Sequence, residues 1–294
     1  MPPGVLEAAA TGHYASANGL RIYFEEQGAG YPLLLLHGGF GTHTDWRSQV
    51  PALAPHFRVI MPDFRGHGRT DNPDGAISYE LMAQDCFALI QTLGLEKPLI
   101  VGFSDGSYTA LQMAVWKPDL ATAFVFVGGW LWSATEESRR GMLAIQHFMG
   151  IDGPLRAELA EDDLRLMEQS QPRMVADLRA AHQHIQGPDN WKTYLKNMWP
   201  AWIRPTEHGP DELQRITAPT LVVVGDRDIF VPLKNAVELY QHLPNAEMAV
   251  IPGMDPDGPK SKRADLLSQI ILHYLLRQVA AQTNSSAGTM VLSG

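Results

Sequence analysis

Gly102-Phe103-Ser104-Asp105-Gly106 follows directly on the apolar run Pro98 to Val101 and leads directly into the helical pattern Ser107 to Trp116. That placement constrains the chain more than any other feature. A serine forced into a tight turn between a strand and a helix needs small residues two before and two after it, so that the elements can approach. Its hydroxyl is then held out of the sheet. The helix that begins there turns its first backbone N–H groups, with their partial positive charge, towards the same point. A bare Gly-x-Ser-x-Gly is common by chance; the apolar strand before this one and the helix after it set it apart from an ordinary turn serine.

The strand-then-helix order recurs along the chain. Pro32 to Leu36, Arg58 to Met61, Pro98 to Val101 and Ala121 to Val127 are short, nearly continuous apolar runs flanked by Gly, Pro or Asp. Such runs suit strands buried on both faces of a parallel sheet. Helical patterns at Trp46 to Leu53, Tyr79 to Leu93 and Ser107 to Trp116 alternate with them, which predicts a doubly wound, mostly parallel α/β sheet with right-handed crossovers. Ahead of it, His13 to Ala17 and Leu20 to Gln27 alternate in polarity around Asn18-Gly19, a hairpin signal.

From Ser133 to about Asp211 the strand runs stop and the chain is helical, Trp-rich and charge-rich; the sheet pattern resumes at Thr220 to Val224. A helix at Leu233 to Leu243, a strand at Glu247 to Ile251 and a closing helix from about Lys262 to Gln278 follow. This predicts an α/β core over 13–132 and 212–281, an inserted helical cap over 133–211 and a flexible tail over 282–294.

Composition narrows the partners. A net charge of −9, with no basic run longer than Arg139-Arg140 or Lys260-Ser261-Lys262-Arg263, gives no footprint for nucleic acid or an anionic membrane surface. The single cysteine, Cys86, excludes intramolecular disulfides and Cys-based metal sites and reads as a buried thiol. His182 and His184 stand two apart on a helical pattern and point to different faces, so no metal is expected, and no phosphate cradle calls for a nucleotide or other cofactor. No run approaches a membrane span, and the start lacks the features of a signal peptide. The expectation is a cytoplasmic protein with a small apolar substrate or ligand, and homo-oligomerisation is left open.

Two further segments belong with Ser104. In His37-Gly38-Gly39-Phe40-Gly41 the glycines let backbone come close to a ligand, and the N–H of Gly39 or Phe40, with that of Asp105, can form an oxyanion hole. After Thr220 to Val224 comes Gly225-Asp226-Arg227-Asp228, where one carboxylate would orient a histidine; Asp228, further beyond the strand end, is the choice, against the alternative that these acids simply cap the helix starting near Leu233.

With Ser104, the glycine loop and Asp228 in this order, the chain resembles the α/β-hydrolase superfamily, in the group with a helical cap between the sixth and seventh core strands. The resemblance covers about Gly30 to Leu276. Pro62-Asp63-Phe64-Arg65-Gly66-His67-Gly68-Arg69-Thr70 and Ile251-Pro252-Gly253 match stretches of the same family. It implies a serine hydrolase of the esterase or lactonase kind, with Ser104 as nucleophile, Asp228 as the acid, and Gly39 or Phe40 with Asp105 as oxyanion donors.

One position departs from the family. The base should be a histidine a few residues after the last strand, and Pro256 stands there, with no histidine between His242 and His273. Loss of such a base costs on the order of 10⁶ in kcat. A histidine from elsewhere (His37, His43, His67, His182 or His184) could substitute, although His37 and His67 sit in structural loops and the cap pair is expected to face water. Asp255 or Asp257 could accept the proton if burial raised it, since a carboxylate near about 4 is a poor base for a hydroxyl. Otherwise the chain is a hydrolase impaired by the substitution, or a non-hydrolytic protein of the same fold, a lyase, cyclase, isomerase or ligand-binding pocket. Phe103, Trp130 and Trp132 are the expected pocket residues, the tryptophans because they follow the strand Ala121 to Val127.

Overall fold

The computed structural model describes residues 11–129 and 136–291. Thr11–Ala17 (β1) and Leu20–Gln27 (β2) form an antiparallel hairpin, with Asn18 at φ 50° and Gly19 at φ 74° in its turn. Positive φ at both central positions matches the twist of the flanking strands, which is why Asn-Gly marks such turns. β2 pairs antiparallel with Phe57–Pro62 (β4). The remaining strands, Tyr31–Leu36 (β3), Leu99–Phe103 (β5), Ala123–Val127 (β6), Thr220–Gly225 (β7) and Ala246–Ile251 (β8), join β4 in parallel. The spatial order of the eight-stranded sheet is β1-β2-β4-β3-β5-β6-β7-β8.

Helices cover both faces. On β3 the side chains alternate: Leu34 and Leu36 join one core and Leu33 and Leu35 the other. The first core is closed by Tyr79–Thr92 (α2), Asp105–Trp116 (α3) and Leu233–His242 (α9). Val50–Leu53 (α1) and Ala264–Val291 (α10) close the second through Leu53, Leu267 and Ile271. Every residue of β5, β6 and β7 is buried, so these strands read as unbroken apolar runs rather than as alternation.

Between β6 and β7 lie Glu136–Phe148 (α4), Glu161–Ser170 (α5), Pro172–Gln186 (α6), Asn190–Ile203 (α7) and Pro210–Leu213 (α8). The order of strands places the functional crevice. From β3 the chain crosses to β4 on one side and returns through α2 to β5 on the other, so the carboxyl ends of β3 and β5 flank the switch point where parallel sheets bind ligands.

Two elements differ from the sequence expectation. The helix expected over Trp46 to Leu53 is instead a 3₁₀ turn, His43–Trp46, and the separate one-turn α1, because Pro51 has no N–H to give and fits only a first turn. The closing helix runs on to Val291 rather than ending near Gln278; Ala280 and Ala281 are strong helix formers at the expected break.

Candidate active site

Ser104 sits at φ 51° and ψ −115° between β5 and α3. A non-glycine residue in that region costs about 1–3 kcal/mol, and surrounding bonds hold it there: its N–H donates to Val127 O at 2.9 Å and its carbonyl accepts from Tyr108 N at 3.0 Å. The neighbouring glycines are required by contact. A Cβ on Gly102 would lie 2.2 Å from the Gly106 carbonyl oxygen, and one on Gly106 would lie 2.2 Å from that of Leu36.

β3 and β5 are paired neighbours, Leu36 opposite Gly102, so the loop leaving β3 arrives beside Ser104. It closes a turn in which Gly41 N donates to Gly38 O at 3.1 Å, and a Cβ on Gly38 would lie 3.5 Å from Ser104 Cβ. Gly39, Phe40, Asp105 and Ser104 all line one cavity of about 590 Å³. Phe103 lines it as well. The opposite wall comes from the inserted helices, through Met142, Phe148, Leu178 and Trp202. Phe40 packs on Trp202 with ring centroids 4.9 Å apart, and Phe148 on Phe230 at 5.3 Å.

Asp105 was singled out for its N–H, but its side chain does more. Buried Oδ1 accepts from Tyr79 OH at 2.5 Å and from Trp202 Nε1 at 2.7 Å, while Oδ2 lies 2.2 Å from where a Gly39 Cβ would stand. Burial pushes this carboxyl above its usual range, against the hydrogen bonds from Tyr79 and Trp202. Neither Tyr79 nor Trp202 could be assigned to the site from sequence spacing; Trp202 was legible only as one of several tryptophans of the insertion.

The two aspartates after β7 have separate tasks. Asp226 Oδ1 accepts from Gly253 N at 2.5 Å and ties the exit of β8 to that of β7. Asp228 Oδ1 accepts from Phe230 N and Val231 N, both at 2.9 Å, and its Oδ2 turns towards Gly128 beside Phe103. Burial raises the Asp228 carboxyl, and the charge of Asp255 adds to the rise.

Pro256 and Asp257 line the Ser104 cavity on the loop after β8. That loop is latched to the segment after β3: Lys260 Nζ lies 2.9 Å from Asp45 Oδ1, and Gln49 Nε2 donates to Pro259 O at 3.1 Å. Gly258 packs directly on the Phe103 ring.

No histidine lines the cavity among the described residues. His37 and His67 are buried, as expected of structural loop residues. His182 corrects the expectation that the insertion's histidines face water: it is 0% exposed, its Nδ1 accepting from Gly68 N at 3.0 Å, whereas His184 is exposed. His43 lies between carboxylates, 2.8 Å from Asp63 and 3.1 Å from Glu25. Trp130 and Trp132 lie outside the described residues. Among those residues no three His, Cys, Asp or Glu side chains gather as a metal site, and no helix is long and apolar enough to cross a membrane.

Comparison with known proteins agrees with this fold. A Serratia proteamaculans protein assigned as a carbamate hydrolase, RutD, is 30% identical over 275 residues, covering 89% of this chain and 98% of its own. The structure of an esterase from Thermogutta terrifontis superposes with a TM-score of 0.69 at 23% identity, covering 92% of this chain and 99% of the other. The enol-lactonase of Burkholderia xenovorans LB400 gives 0.68 at 21%, covering 90% and 100%. The family described as alpha/beta hydrolase fold matches residues 31–255, and the chain belongs to that family of hydrolases.

Proposed function

We propose that the protein is a serine hydrolase that cleaves an apolar ester or lactone by acyl transfer to Ser104. The observation that carries this reading is the conformation of Ser104: a non-glycine residue held at φ 51° on a cavity walled by apolar side chains such as Met142, Phe148 and Leu178 together with polar ones such as Arg173, Asp177 and Lys260, beside the Gly38–Gly41 turn. Packing alone gains nothing from such strain. In the proposed reaction Ser104 Oγ bonds to the acyl carbon as its proton passes to solvent water, since no imidazole among the described residues stands at the cavity to take it. The carbonyl oxygen becomes an oxyanion facing the N–H groups of Phe40 and Asp105. The alcohol leaves with a proton, and water then releases the acid and restores the serine.

Asp228 is the carboxylate suited to orient an imidazole, with two amides holding one oxygen and leaving the other. Pro256 removes that imidazole, so turnover in this chain is slow. The names of the relatives, carbamate hydrolase, esterase and enol-lactonase, support chemistry at an acyl carbon. Residues 133–211 would act as the cap that closes the cavity, in a cytoplasmic enzyme.

A second reading is favoured by the cavity's lack of a lining histidine among the described residues: a pocket that binds or rearranges an apolar ligand with no acyl-enzyme. Labelling with a fluorophosphonate separates the two. The hydrolase reading expects slow, stoichiometric modification of Ser104 that vanishes in Ser104→Ala. Absence of labelling at high probe concentration, with an apolar ligand still bound by Ser104→Ala, would leave the second reading standing.

A further inference from the structure

Asp45 stands between the turn that faces Ser104 and the loop that carries Pro256. Its two carboxylate oxygens have separate partners: Oδ2 accepts from Gly38 N at 3.3 Å, and Oδ1 lies 2.9 Å from Lys260 Nζ. The aspartate reaches both from the 3₁₀ turn His43–Trp46, where its own N–H donates to Thr42 O at 2.9 Å. Lys260 ends a second such turn, Gly258–Lys260, shortly after Pro256.

The carboxylate fits closely against the turn before it. A Cβ on Gly41 would overlap both oxygens of Asp45. Gly41 does not have a positive φ, so glycine is required there by the carboxylate and not by the backbone. Gly41 N in turn donates to Gly38 O at 3.1 Å. Both ends of the turn are therefore anchored, Gly38 through its N–H and Gly41 through contact. Phe40, whose N–H is the turn's oxyanion donor in the proposed reaction, lies between them.

Charge brings Lys260 into the same arrangement. The Asp45 side chain is 3% exposed, and among the described residues Lys260 is the cation paired with it. A buried carboxylate needs such a partner. Left charged and alone beside a forming oxyanion, it would oppose that oxyanion in a site sheltered from water. Burial raises the Asp45 carboxyl and the charge of Asp63 adds to this, while Lys260 and the Gly38 amide act against the rise. Asp63 has a cation of its own in His43, 2.8 Å away. Asp45 and Lys260 both line the cavity that holds Ser104.

We propose that Asp45 is a positioning residue: its carboxylate takes the Gly38 amide to hold the turn that carries the Phe40 donor, and Lys260 neutralises it there. One ion pair thereby sets the oxyanion turn against the loop bearing residue 256. The chemical half rests on the serine-hydrolase reading; the anchoring of Gly38 does not.

The test compares the full-length parent with Asp45→Ala, Lys260→Met and the double variant Asp45→Asn with Lys260→Met. Ala frees the Gly38 amide. Met leaves the carboxylate without its cation, and Asn then keeps an oxygen for Gly38 with no charge to neutralise. Two quantities are read: hydrogen exchange at the Gly38 amide, with Val101 of β5 as the reference, and the labelling of Ser104 by a fluorophosphonate resolved into a maximal rate and a half-saturating concentration. Asp45→Ala is expected to speed Gly38 exchange about tenfold relative to Val101. Asp45→Ala and Lys260→Met should each slow the maximal labelling rate about tenfold, less than the roughly 10²–10³ that follows outright removal of an oxyanion donor. The half-saturating concentration stays near that of the parent, and the double variant recovers most of the rate lost in Lys260→Met. Parent-like Gly38 exchange or rate in Asp45→Ala, or a double variant no faster than Lys260→Met, overturns the proposal. If Asp45→Ala does not fold, the two Lys260 proteins decide it. If the parent is never labelled, the hydrolase reading fails, and Gly38 exchange alone decides whether Asp45 holds the turn.

Discussion

Trp202 Nε1 donates to Asp105 Oδ1 at 2.7 Å, joining the last turn of the inserted helix α7 to the residue immediately after Ser104. Tyr79 OH, from the start of α2, donates to the same oxygen at 2.5 Å. One buried carboxylate therefore gathers the sheet's elbow, a core helix and the insertion at a single point. Its second oxygen lies against Gly39, on the turn across from the serine.

Asp105→Ala should accordingly be costly out of proportion to its size. It leaves two buried donors unpaired, each worth about 1–3 kcal/mol. Asp105→Asn keeps an acceptor for both and should lose clearly less. Urea denaturation of the two variants against the parent measures this. Equal stability of Ala and Asn would mean that the Tyr79 and Trp202 bonds do not contribute as described.

The strain at Ser104 can be measured without any substrate. Ser104→Ala keeps a Cβ at φ 51°, whereas Ser104→Gly removes it, so the glycine variant should be the more stable by about 1 kcal/mol after its greater unfolded-state entropy is allowed for. Gly106→Ala should do the reverse and abolish folding, since its Cβ would meet the Leu36 carbonyl at 2.2 Å. A glycine variant less stable than the alanine variant would show that the elbow carries no strain.

The elbow and its sheet were legible because local rules fix them: burial on both faces makes apolar runs, and close approach of backbone to backbone admits only glycine at Gly102 and Gly106. The choice between Asp226 and Asp228 rested on distance from the strand end alone; in the fold it is Asp228 whose Oδ1 takes the amides of Phe230 and Val231 just ahead of α9, while Asp226 takes that of Gly253. What could not be read were contacts made across the insertion. Asp105 looked like a donor because its N–H starts a helix; only the fold brings Trp202 and Tyr79 to its carboxylate. His182 looked like one charged-helix residue among many, yet it is seated on the Gly66-His67-Gly68 loop, 114 positions away from Gly68 in sequence. Pairings at that separation leave no periodic signal.

His43 gives the protein a pH dependence of determinable sign. Burial opposes its charge, but hydrogen bonds to Asp63 and Glu25 win and raise it to about 9. A folded-state value above the ordinary one near 6.5 means that its contribution is complete below about pH 6.5 and is lost as pH rises through about 9. Asp63 runs the other way: burial disfavours its charge, the hydrogen bonds and charge of His43 together outweigh this, and its lowered value means stability lost only as acid protonates it. Urea midpoints should fall from pH 6.5 to 9.5 in the parent by more than in His43→Gln. Parallel pH curves for the two proteins would place the charge elsewhere.

The departure at Pro256 makes the sharpest prediction about chemistry. Pro256 lines the cavity of Ser104, and Asp228 has one oxygen held by two amides and the other turned towards Gly128 beside Phe103, itself a lining residue. On the serine-hydrolase reading proposed above, an imidazole at position 256 would supply a proton acceptor for the serine, and general-base catalysis contributes typically about 10²–10⁴-fold. Pro256→His should therefore raise both fluorophosphonate labelling and hydrolysis of an activated ester by about 10²-fold or more. Adding Asp228→Asn should remove most of that gain, because the imidazole then loses the group that orients it and stabilises its charge. A folded Pro256→His protein with no gain over the parent would argue that the serine is not poised for acyl transfer. A gain that survives Asp228→Asn would leave the serine in place and assign the orienting carboxylate to another residue.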